Sequence, residues 1–396
     1  MTTDAAAAIR AQALEVAAGW SPPDAPPSWR LTAALLRAIA GHEQLVGRLA
    51  ALPPGRLPAL LASAAITFLV RRDRPAPLAS YFPVPGPEAV QPGFDDGFGP
   101  AVRAFCSDRL DDIAAECAGR RYQMNEVARC AQLALGIAAL AEPGPVALAD
   151  LGTGAGLGLH LDRYRYRVGG EASGPASGQI SGPVSGPAEA TLTLDCAVRG
   201  PLRPPAAGLP LIAERAGLDV HPVDLADPAA RAWLEACAPP EATALSRLAA
   251  AIEVARRHPV PLVAGDVIDA LPGVLDRFPP ARPVLVTDAY LAVFLSDHQR
   301  EQLAAICARA ARRRPVTWLS LDPLVPLGPD GRHSVQGLPL PAGLVRDYAE
   351  HGVFAVLSAR TFRDGADDGR LLARAHPSGQ WVQWLAGGEH GPAPGG

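Results

Sequence analysis

The pattern of apolar and polar positions divides the chain into two regions. Residues 1–142 carry apolar residues at helical spacing, interrupted by proline-rich joints, whereas short apolar runs alternate with helical segments from residue 143 onward. This alternation is typical of a mostly parallel sheet with crossover helices, so we predict an α/β domain at 143–396 preceded by an α-helical region. Helices are predicted at 4–18, 29–50, 57–70, 100–118 and 122–141, and strands near 146–150, 191–196, 215–220, 260–264, 283–287, 316–320, 353–358 and 370–375.

A low-complexity segment interrupts the predicted α/β domain. Residues 169–190 repeat a Ser-Gly-Pro unit. Such a composition cannot bury enough apolar surface to order itself, which predicts a flexible surface loop. A lid that closes over a site is the alternative interpretation.

A glycine-rich segment directly follows the first predicted strand. Asp150 ends this strand, and Gly152, Gly154 and Gly156 follow at alternate positions. Glycine permits a sharp turn and lets the backbone approach a ligand closely. The dinucleotide pattern G-x-G-x-x-G fails, because leucine occupies the third glycine position in both possible registers. A glycine-rich turn that binds no ligand is the simpler alternative.

The segment from Asp150 to Gly156 resembles the first motif of the class I S-adenosylmethionine (SAM) dependent methyltransferases. The resemblance implies a Rossmann-like, mostly parallel sheet of that type and SAM as the cofactor. In this family the strand-end acid and the glycine loop hold the amino acid part of the cofactor. These roles would fall on Asp150, Gly152, Thr153, Gly154 and Gly156.

Acids after the next predicted strands extend this resemblance. Asp219 corresponds to the carboxylate that accepts hydrogen bonds from both ribose hydroxyls, with Asp224 as a fallback and a turn or capping role as the alternative. Asp266 and Val267 correspond to the element beside the adenine. Asp288 is assigned to the cofactor, and Tyr290 follows it where the family commonly places the methyl acceptor.

A second, narrower resemblance covers most of the chain. Several motifs together are similar to a bacterial domain-of-unknown-function family (number 2332), frequent in GC-rich genomes. This resemblance supplies an architecture but no reaction. The motifs are residues 121–129, the glycine loop, residues 162–166, residues 231–236, Gly265-Asp266 and residues 376–384.

Five further residues are candidates for the substrate side. Asn125 is the only asparagine in the chain, and with Glu126 and Arg129 on one helix face it could hold a polar or zwitterionic substrate. The equal alternative is that Asn125 caps a helix at 126–141. Tyr164 and Tyr166 could stabilise a sulfonium through cation–π attraction, but packing is the simpler interpretation.

Composition narrows the class of partner. A net charge of −4 and a pI of about 6.1 argue against a nucleic-acid binder and favour a small-molecule substrate. The six cysteines show no metal-ligand spacing, so no metal is expected. The longest apolar run, 57–70, is shorter than the ~20 residues of a membrane helix. No signal peptide is recognisable, and we predict a cytoplasmic location.

The sequence thus predicts a SAM-dependent methyltransferase acting on an unidentified small molecule. The helical region 1–142 is expected to cover the site and select the substrate. No catalytic residue is assigned, although His160, His298 and His376 are candidate bases. A non-catalytic SAM-fold binding or partner protein is the alternative, and a nucleotide-dependent enzyme of another class is a further one.

Overall fold

A computed structural model describes the chain over residues 2–21, 27–123, 125–140, 144–169, 184–204, 208–291, 294–323, 325–327, 332–351 and 354–385. Most of the Ser-Gly-Pro segment, residues 170–183, lies outside these ranges. Among the described residues the chain forms two compact units. The first takes residues up to 125 together with 224–250, and the second takes the others.

The described helices agree with the predicted helical N-terminal region, with some changes of boundary. The apolar run 57–70 forms one buried helix, whereas the predicted helices 29–50 and 100–118 are each divided in two. The predicted helix 122–141 begins only at residue 129. The helices are α1 (Thr2–Gly19), α2 (Pro27–Ala40), α3 (Glu43–Leu49), α4 (Pro58–Asp73), α5 (Phe98–Asp108), α6 (Leu110–Gly119), α7 (Arg129–Leu140), α8 (Pro228–Cys237), α9 (Ala242–Arg257), α10 (Val267–Arg277), α11 (Asp297–Ala310) and α12 (Ala342–His351).

The first unit is helical and is built around α4. This helix starts at Pro58, whose fixed φ suits the first helical turn. It then buries apolar residues over most of its surface, because other helices of the unit pack around it. One of these contacts joins α4 to α8, where the rings of Phe68 and Trp233 meet edge to face at 5.7 Å. Over the described residues, every helix falls short of the length and apolar character that a bilayer span requires.

The second unit contains all the described strands. They confirm a mixed α/β structure with a large, mostly parallel sheet. The strands are β1 (Val146–Leu151), β2 (Arg165–Val168), β3 (Val184–Ser185), β4 (Thr193–Arg199), β5 (Ile212–Asp219), β6 (Leu262–Ala264), β7 (Val284–Ala289), β8 (Val316–Pro323), β9 (Val325–Leu327), β10 (Arg332–Val335), β11 (Leu338–Pro339), β12 (Ala355–Arg363), β13 (Ala366–Ala375) and β14 (Trp381–Trp384).

Eleven of these strands form one sheet in the order β3-β2-β4-β14-β13-β12-β8-β7-β1-β5-β6. One end of the sheet, the five strands β6, β5, β1, β7 and β8, is entirely parallel. The strands β12, β13 and β14 then add in antiparallel pairs, and β4 and β2 return to parallel pairing. The sequence did not predict β2 or β14, since four-residue strands leave almost no periodic signal.

The two faces of the parallel strands bury different sets of side chains. Ala147, Ala149 and Leu151 of β1 pack into an apolar core that includes residues of α10 and α11. Because side chains alternate along a strand, Asp150 points to the opposite face. The helix α7 packs against β8 and β12. At Gly136 an added Cβ would lie 2.9 Å from Leu319 Cδ1, which explains a glycine in the middle of this helix.

Candidate functional site at the carboxyl edge of the sheet

The order of the five parallel strands reverses at β1. After β1 the chain places β5 and β6 on one side, and then β7 and β8 on the other. In open parallel sheets, ligands bind outside the carboxyl ends of the strands at such a point. The carboxyl ends of β1, β5, β6 and β7, with the residues that follow them, therefore define the candidate site. The predicted cofactor acids and glycines belong to these segments.

The glycine loop owes its conformation to its glycines. Gly152, Gly154 and Gly156 all have φ values between 55° and 73°, in the left-handed region that favours glycine. Each of their N–H groups already has a partner within the protein. Gly152 donates to the carbonyl of Leu218 at 2.8 Å, and Gly156 to that of Thr153 at 2.9 Å. These hydrogen bonds hold the loop internally, so its three glycine N–H groups do not form a preformed ligand-binding site.

Apolar side chains also pack on this loop. A Cβ added at Gly152 would meet Leu291 Cδ1 at 3.3 Å, and one at Gly156 would meet Leu262 Cδ2 at 3.0 Å. Gly152 is nevertheless exposed, whereas Gly154 and Gly156 are buried. The helix predicted after the loop is a 3-10 helix, Leu157–Arg163, rather than an α-helix. The exposed part of the loop is consequently confined to Gly152.

Asp150 fixes the loop to the neighbouring strand. Its carboxylate accepts hydrogen bonds from the hydroxyls of Thr153 at 2.6 Å and Thr287 at 2.8 Å. Burial raises the pKa of Asp150 to about 6, and the negative charge of Asp219 adds to the effect, while both hydroxyl hydrogen bonds oppose it. Asp150 is only 7% exposed, so its observed contacts are structural.

This raised pKa makes a testable prediction for stability. Because folded Asp150 binds its proton more tightly than the unfolded chain does, its stabilising contribution is complete below the ordinary aspartate pKa and is lost as the pH rises through about 6. The difference in unfolding free energy between the wild type and Asp150→Asn, measured by urea denaturation, should fall by about 2.5 kcal/mol between pH 4 and pH 7. Parallel pH profiles for the two proteins would contradict the prediction.

Asp219 connects the glycine loop to the end of β5. Its Oδ2 accepts the N–H of Gly154 at 2.9 Å, and its Oδ1 accepts the N–H of His221 at 2.7 Å. The residue is half-buried, and each carboxylate oxygen has a second lone pair for a further hydrogen bond. Asp219 therefore combines contact with the loop, partial exposure and spare acceptor capacity.

The predicted adenine residues have structural roles at the start of α10. Asp266 is the N-cap of this helix and accepts the N–H of Ile268 at 2.8 Å. Val267 is buried in the core beneath α10. The capping interaction satisfies a backbone donor that the first helical turn cannot satisfy itself. The described contacts of Asp266 and Val267 are therefore structural, and they do not indicate a role in ligand binding.

Asp288 lies in a buried polar cluster. It accepts from Trp318 Nε1 at 2.6 Å, and the hydroxyl of Ser320 lies 3.0 Å from Asp288 and 2.6 Å from Asp322. The Ser320 hydroxyl has one proton, so it can donate to only one of these two carboxyl groups at a time. Burial and the neighbouring Asp322 charge raise the pKa of Asp288 well above its ordinary value, which favours the protonated form of this carboxyl group.

The sequence did not identify Trp318, Ser320 or Asp322 as site residues. All three lie in β8, where their alternating positions place them on one face of the sheet. The available signal was the pair of polar residues at the carboxyl end of an otherwise apolar strand. Only the pairing of β8 with β7 brings them to Asp288.

The structure brings two predicted substrate-side residues together. The guanidinium of Arg129 lies 3.9 Å from the ring centroid of Tyr290, within cation–π distance. Tyr290 has a φ of 65°, which is strained for a bulky side chain, and its buried hydroxyl has no hydrogen-bond partner among the described residues. Burial also raises its pKa. Strain and an unused hydroxyl at the end of β7 mark Tyr290 as a functional candidate.

The structure does not place Asn125, Glu126 and Arg129 on one helix face. The helix begins at Arg129, so neither Asn125 nor Glu126 is helical, and Asn125 cannot cap a helix at 126–141. Glu126 instead accepts the N–H of Ala128 at 3.0 Å. Asn125 Nδ2 lies 3.5 Å from Gln123 Oε1. A local turn has therefore replaced the predicted first helical turn.

Tyr164 and Tyr166 pack in the interior. The hydroxyl of Tyr164 donates to the carbonyl of Leu157 at 2.8 Å, and that of Tyr166 donates to the carbonyl of Leu161. The two side chains are 0% and 4% exposed, which removes them from contact with a ligand. Their rings anchor the 3-10 helix against β2, in agreement with the packing interpretation.

Two candidate bases are buried. Burial lowers the pKa of His160 to about 4 and that of His376 to about 3, and nearby arginines add to both shifts. His376 Nδ1 accepts the N–H of Ser378 at 3.1 Å. These rings are neutral near pH 7, and His376 has a structural role in its turn.

The chain is therefore a mixed α/β protein with an N-terminal helical region and a polar, glycine-containing edge at the centre of its parallel strands. It belongs to a bacterial family described as "Uncharacterized protein conserved in bacteria (DUF2332)", whose model matches residues 6–384. The match confirms the narrower of the two resemblances. No curated protein and no solved structure matches the chain.

Proposed function

We propose that the second unit binds SAM at the carboxyl edge of β1 and β5 and transfers its methyl group to a small molecule. One observation carries the proposal. Asp219, at the end of β5, holds the glycine loop that follows β1, at the point where the strand order reverses. When bound, SAM would supply an activated methyl group on its sulfonium.

The residues fit this cofactor in part. The two oxygens of Asp219 can each accept one hydroxyl of a ribose diol in addition to their present backbone donors. The exposed Gly152 leaves the loop open to close approach on one side. Asp150 and Asp288 are buried with other partners, and Asp266 caps a helix. The proposed contacts therefore rest on Asp219 and Gly152.

Arg129 and Tyr290 are the proposed acceptor-side residues. They meet beside the end of β7, and the buried hydroxyl of Tyr290 has no hydrogen-bond partner in the described part of the chain. A polar acceptor would satisfy this hydroxyl and be oriented by it. Orientation and exclusion of water are the main contributions that a protein makes to such a displacement.

A non-catalytic binding or partner protein is the second candidate. The observation that favours it is the packing of the glycine loop. The N–H groups of its three glycines are used internally, and a Cβ added at Gly152 would lie 3.3 Å from Leu291 Cδ1. A binding module would retain affinity for SAM or its demethylated product without methylating any acceptor. A nucleotide-dependent enzyme of another class would instead bind NADH, and fluorescence titration detects that directly.

Isothermal titration with SAM and with S-adenosylhomocysteine tests the proposal. We expect micromolar binding to the wild type and at least ~10-fold weaker binding to Asp219→Ala, because two hydrogen bonds to the ribose are lost. The matched control is Asp227→Ala, which removes another aspartate that accepts a backbone N–H two residues ahead. Absence of heat and thermal shift with either ligand would overturn the proposal. Equal weakening in both variants would exclude a ribose-binding role for Asp219.

A further inference from the structure

Arg71 in the first unit is a half-buried arginine whose guanidinium has buried donors without a partner among the described residues. It lies on α4, and its Nη1 donates to the carbonyl of Glu235 at 2.8 Å. This carbonyl belongs to the last turn of α8, where backbone acceptors have no partner within the helix. The hydrogen bond fixes the orientation of the guanidinium. It also accounts for only one of the three guanidinium nitrogens.

The other two nitrogens form one recognition edge. Nε and Nη2 of Arg71 are both buried and have no hydrogen-bond partner among the described residues. Of the described arginines, only Arg71 has two such atoms. The Nε–H and one Nη2–H point in the same direction, which is the parallel pair of donors that binds a carboxylate or phosphate with two hydrogen bonds.

The charge on Arg71 also lacks a contacting counterion within the described structure. Glu235 is the acid close enough to affect it, and no ion pair joins the two side chains there. Burial lowers the pKa of Arg71 to about 10, which shows how poorly its surroundings replace water. The guanidinium still carries its charge at neutral pH. A buried charge is normally paired and fully hydrogen-bonded, so this arrangement lacks an anion.

We propose that Arg71 is the anchor of a carboxylate-binding site in the first unit. A singly charged, planar carboxylate matches the two parallel donors and neutralises one guanidinium. A phosphate dianion suits the site less well, because Glu235 already contributes negative charge nearby. This site lies in a different unit from Asp219 and does not depend on the proposed function.

The test compares anions by thermal shift, using succinate, inorganic phosphate and sodium chloride at equal ionic strength. We expect succinate to raise the melting temperature of the wild type saturably, with at least ~10-fold weaker apparent affinity in Arg71→Met. Arg71→Lys keeps the charge but loses the paired donors and should also bind more weakly. Arg103→Met removes an exposed arginine of the same unit and should respond like the wild type.

Stability without added anion provides an independent readout. Arg71→Met removes an uncompensated buried charge and keeps the apolar stem but loses the hydrogen bond to the Glu235 carbonyl, so its melting temperature should fall by no more than about 5 °C. A larger fall would assign Arg71 a purely structural role and overturn the proposal. An equal succinate shift in wild type and Arg71→Met, or no shift beyond chloride, would do the same. A response to phosphate alone would overturn the carboxylate assignment. None of these outcomes involves SAM.

Discussion

Replacing Gly379 with alanine is expected to destabilise the second unit by about 3–5 kcal/mol, because a left-handed backbone and a backbone clash act together. Gly379 has a φ of 78°, and an added Cβ would lie 2.5 Å from the Cβ and 2.6 Å from the carbonyl oxygen of Ala128. Backbone atoms cannot move aside as a flexible side chain can. Urea denaturation followed by circular dichroism measures the loss.

The same substitution should disturb the candidate acceptor side. Arg129 Nε donates to the carbonyl of Pro377 at 2.7 Å, and Gln132 Nε2 donates to that of His376 at 2.9 Å. The turn containing Gly379 thus holds the first turn of α7, which carries Arg129 to Tyr290. This turn is part of the motif at residues 376–384. Its packing against α7 provides a structural explanation for the motif.

Gly365→Ala is the matched control for this prediction. Gly365 has a similar φ of 81°, but an added Cβ meets no atom within 4 Å. Its substitution should cost only the left-handed backbone strain, about 1–2 kcal/mol. Equal losses in the two variants would show that the contact with Ala128 contributes nothing.

Removing the carboxyl group of Asp288 is expected to cost a similar amount. Asp288→Ala leaves the indole N–H of Trp318 without its acceptor and the hydroxyl of Ser320 without one of its two contacts. Unsatisfied buried groups and the resulting cavity together predict a loss of about 3–5 kcal/mol at pH 7. Urea denaturation monitored by tryptophan fluorescence would detect both the loss and the change around Trp318.

Asp288→Asn distinguishes the protonated from the ionised carboxyl group. The asparagine side chain offers one acceptor and one donor where a protonated carboxyl group also offers one of each. The unfolding free energy of this variant should therefore stay within ~1 kcal/mol of the wild-type value. Since the pKa of Asp288 is raised on folding, wild-type stability should fall as the pH rises through that pKa, and Asp288→Asn should abolish this part of the dependence. If Asn destabilises as strongly as Ala, the proton does not reside on Asp288.

Local chemistry made part of the structure predictable. The apolar run before Asp150 and the glycines after it specify a strand and a tight loop, because strand propensity and left-handed φ values depend on neighbouring residues. The apolar run 57–70 likewise specified a buried helix. Helix ends were less predictable, as at Glu126, where a hydrogen bond to Ala128 closes a turn in place of the expected helix.

The partners of the polar side chains could not be predicted in the same way. Asp150 and Thr287, or Asp288 and Trp318, are distant in the chain and meet only because β7 pairs with β1 and β8 in one register. A shift of that register by one residue would turn each side chain to the other face. The same holds for Arg129 and Tyr290, which come from a helix and a strand end.

The sequence by itself determined the α/β class, the helical first region, the glycine loop and the order of acids along the chain, since these follow from composition and short-range spacing. Only the tertiary structure decided that Asp150, Asp266 and Asp288 are held in internal hydrogen bonds. It also decided that, among the described residues, Asp219 has acceptor capacity to spare and two donors of Arg71 have no partner. Burial and hydrogen-bond satisfaction depend on which distant segments pack together, and spacing along the chain does not encode that directly.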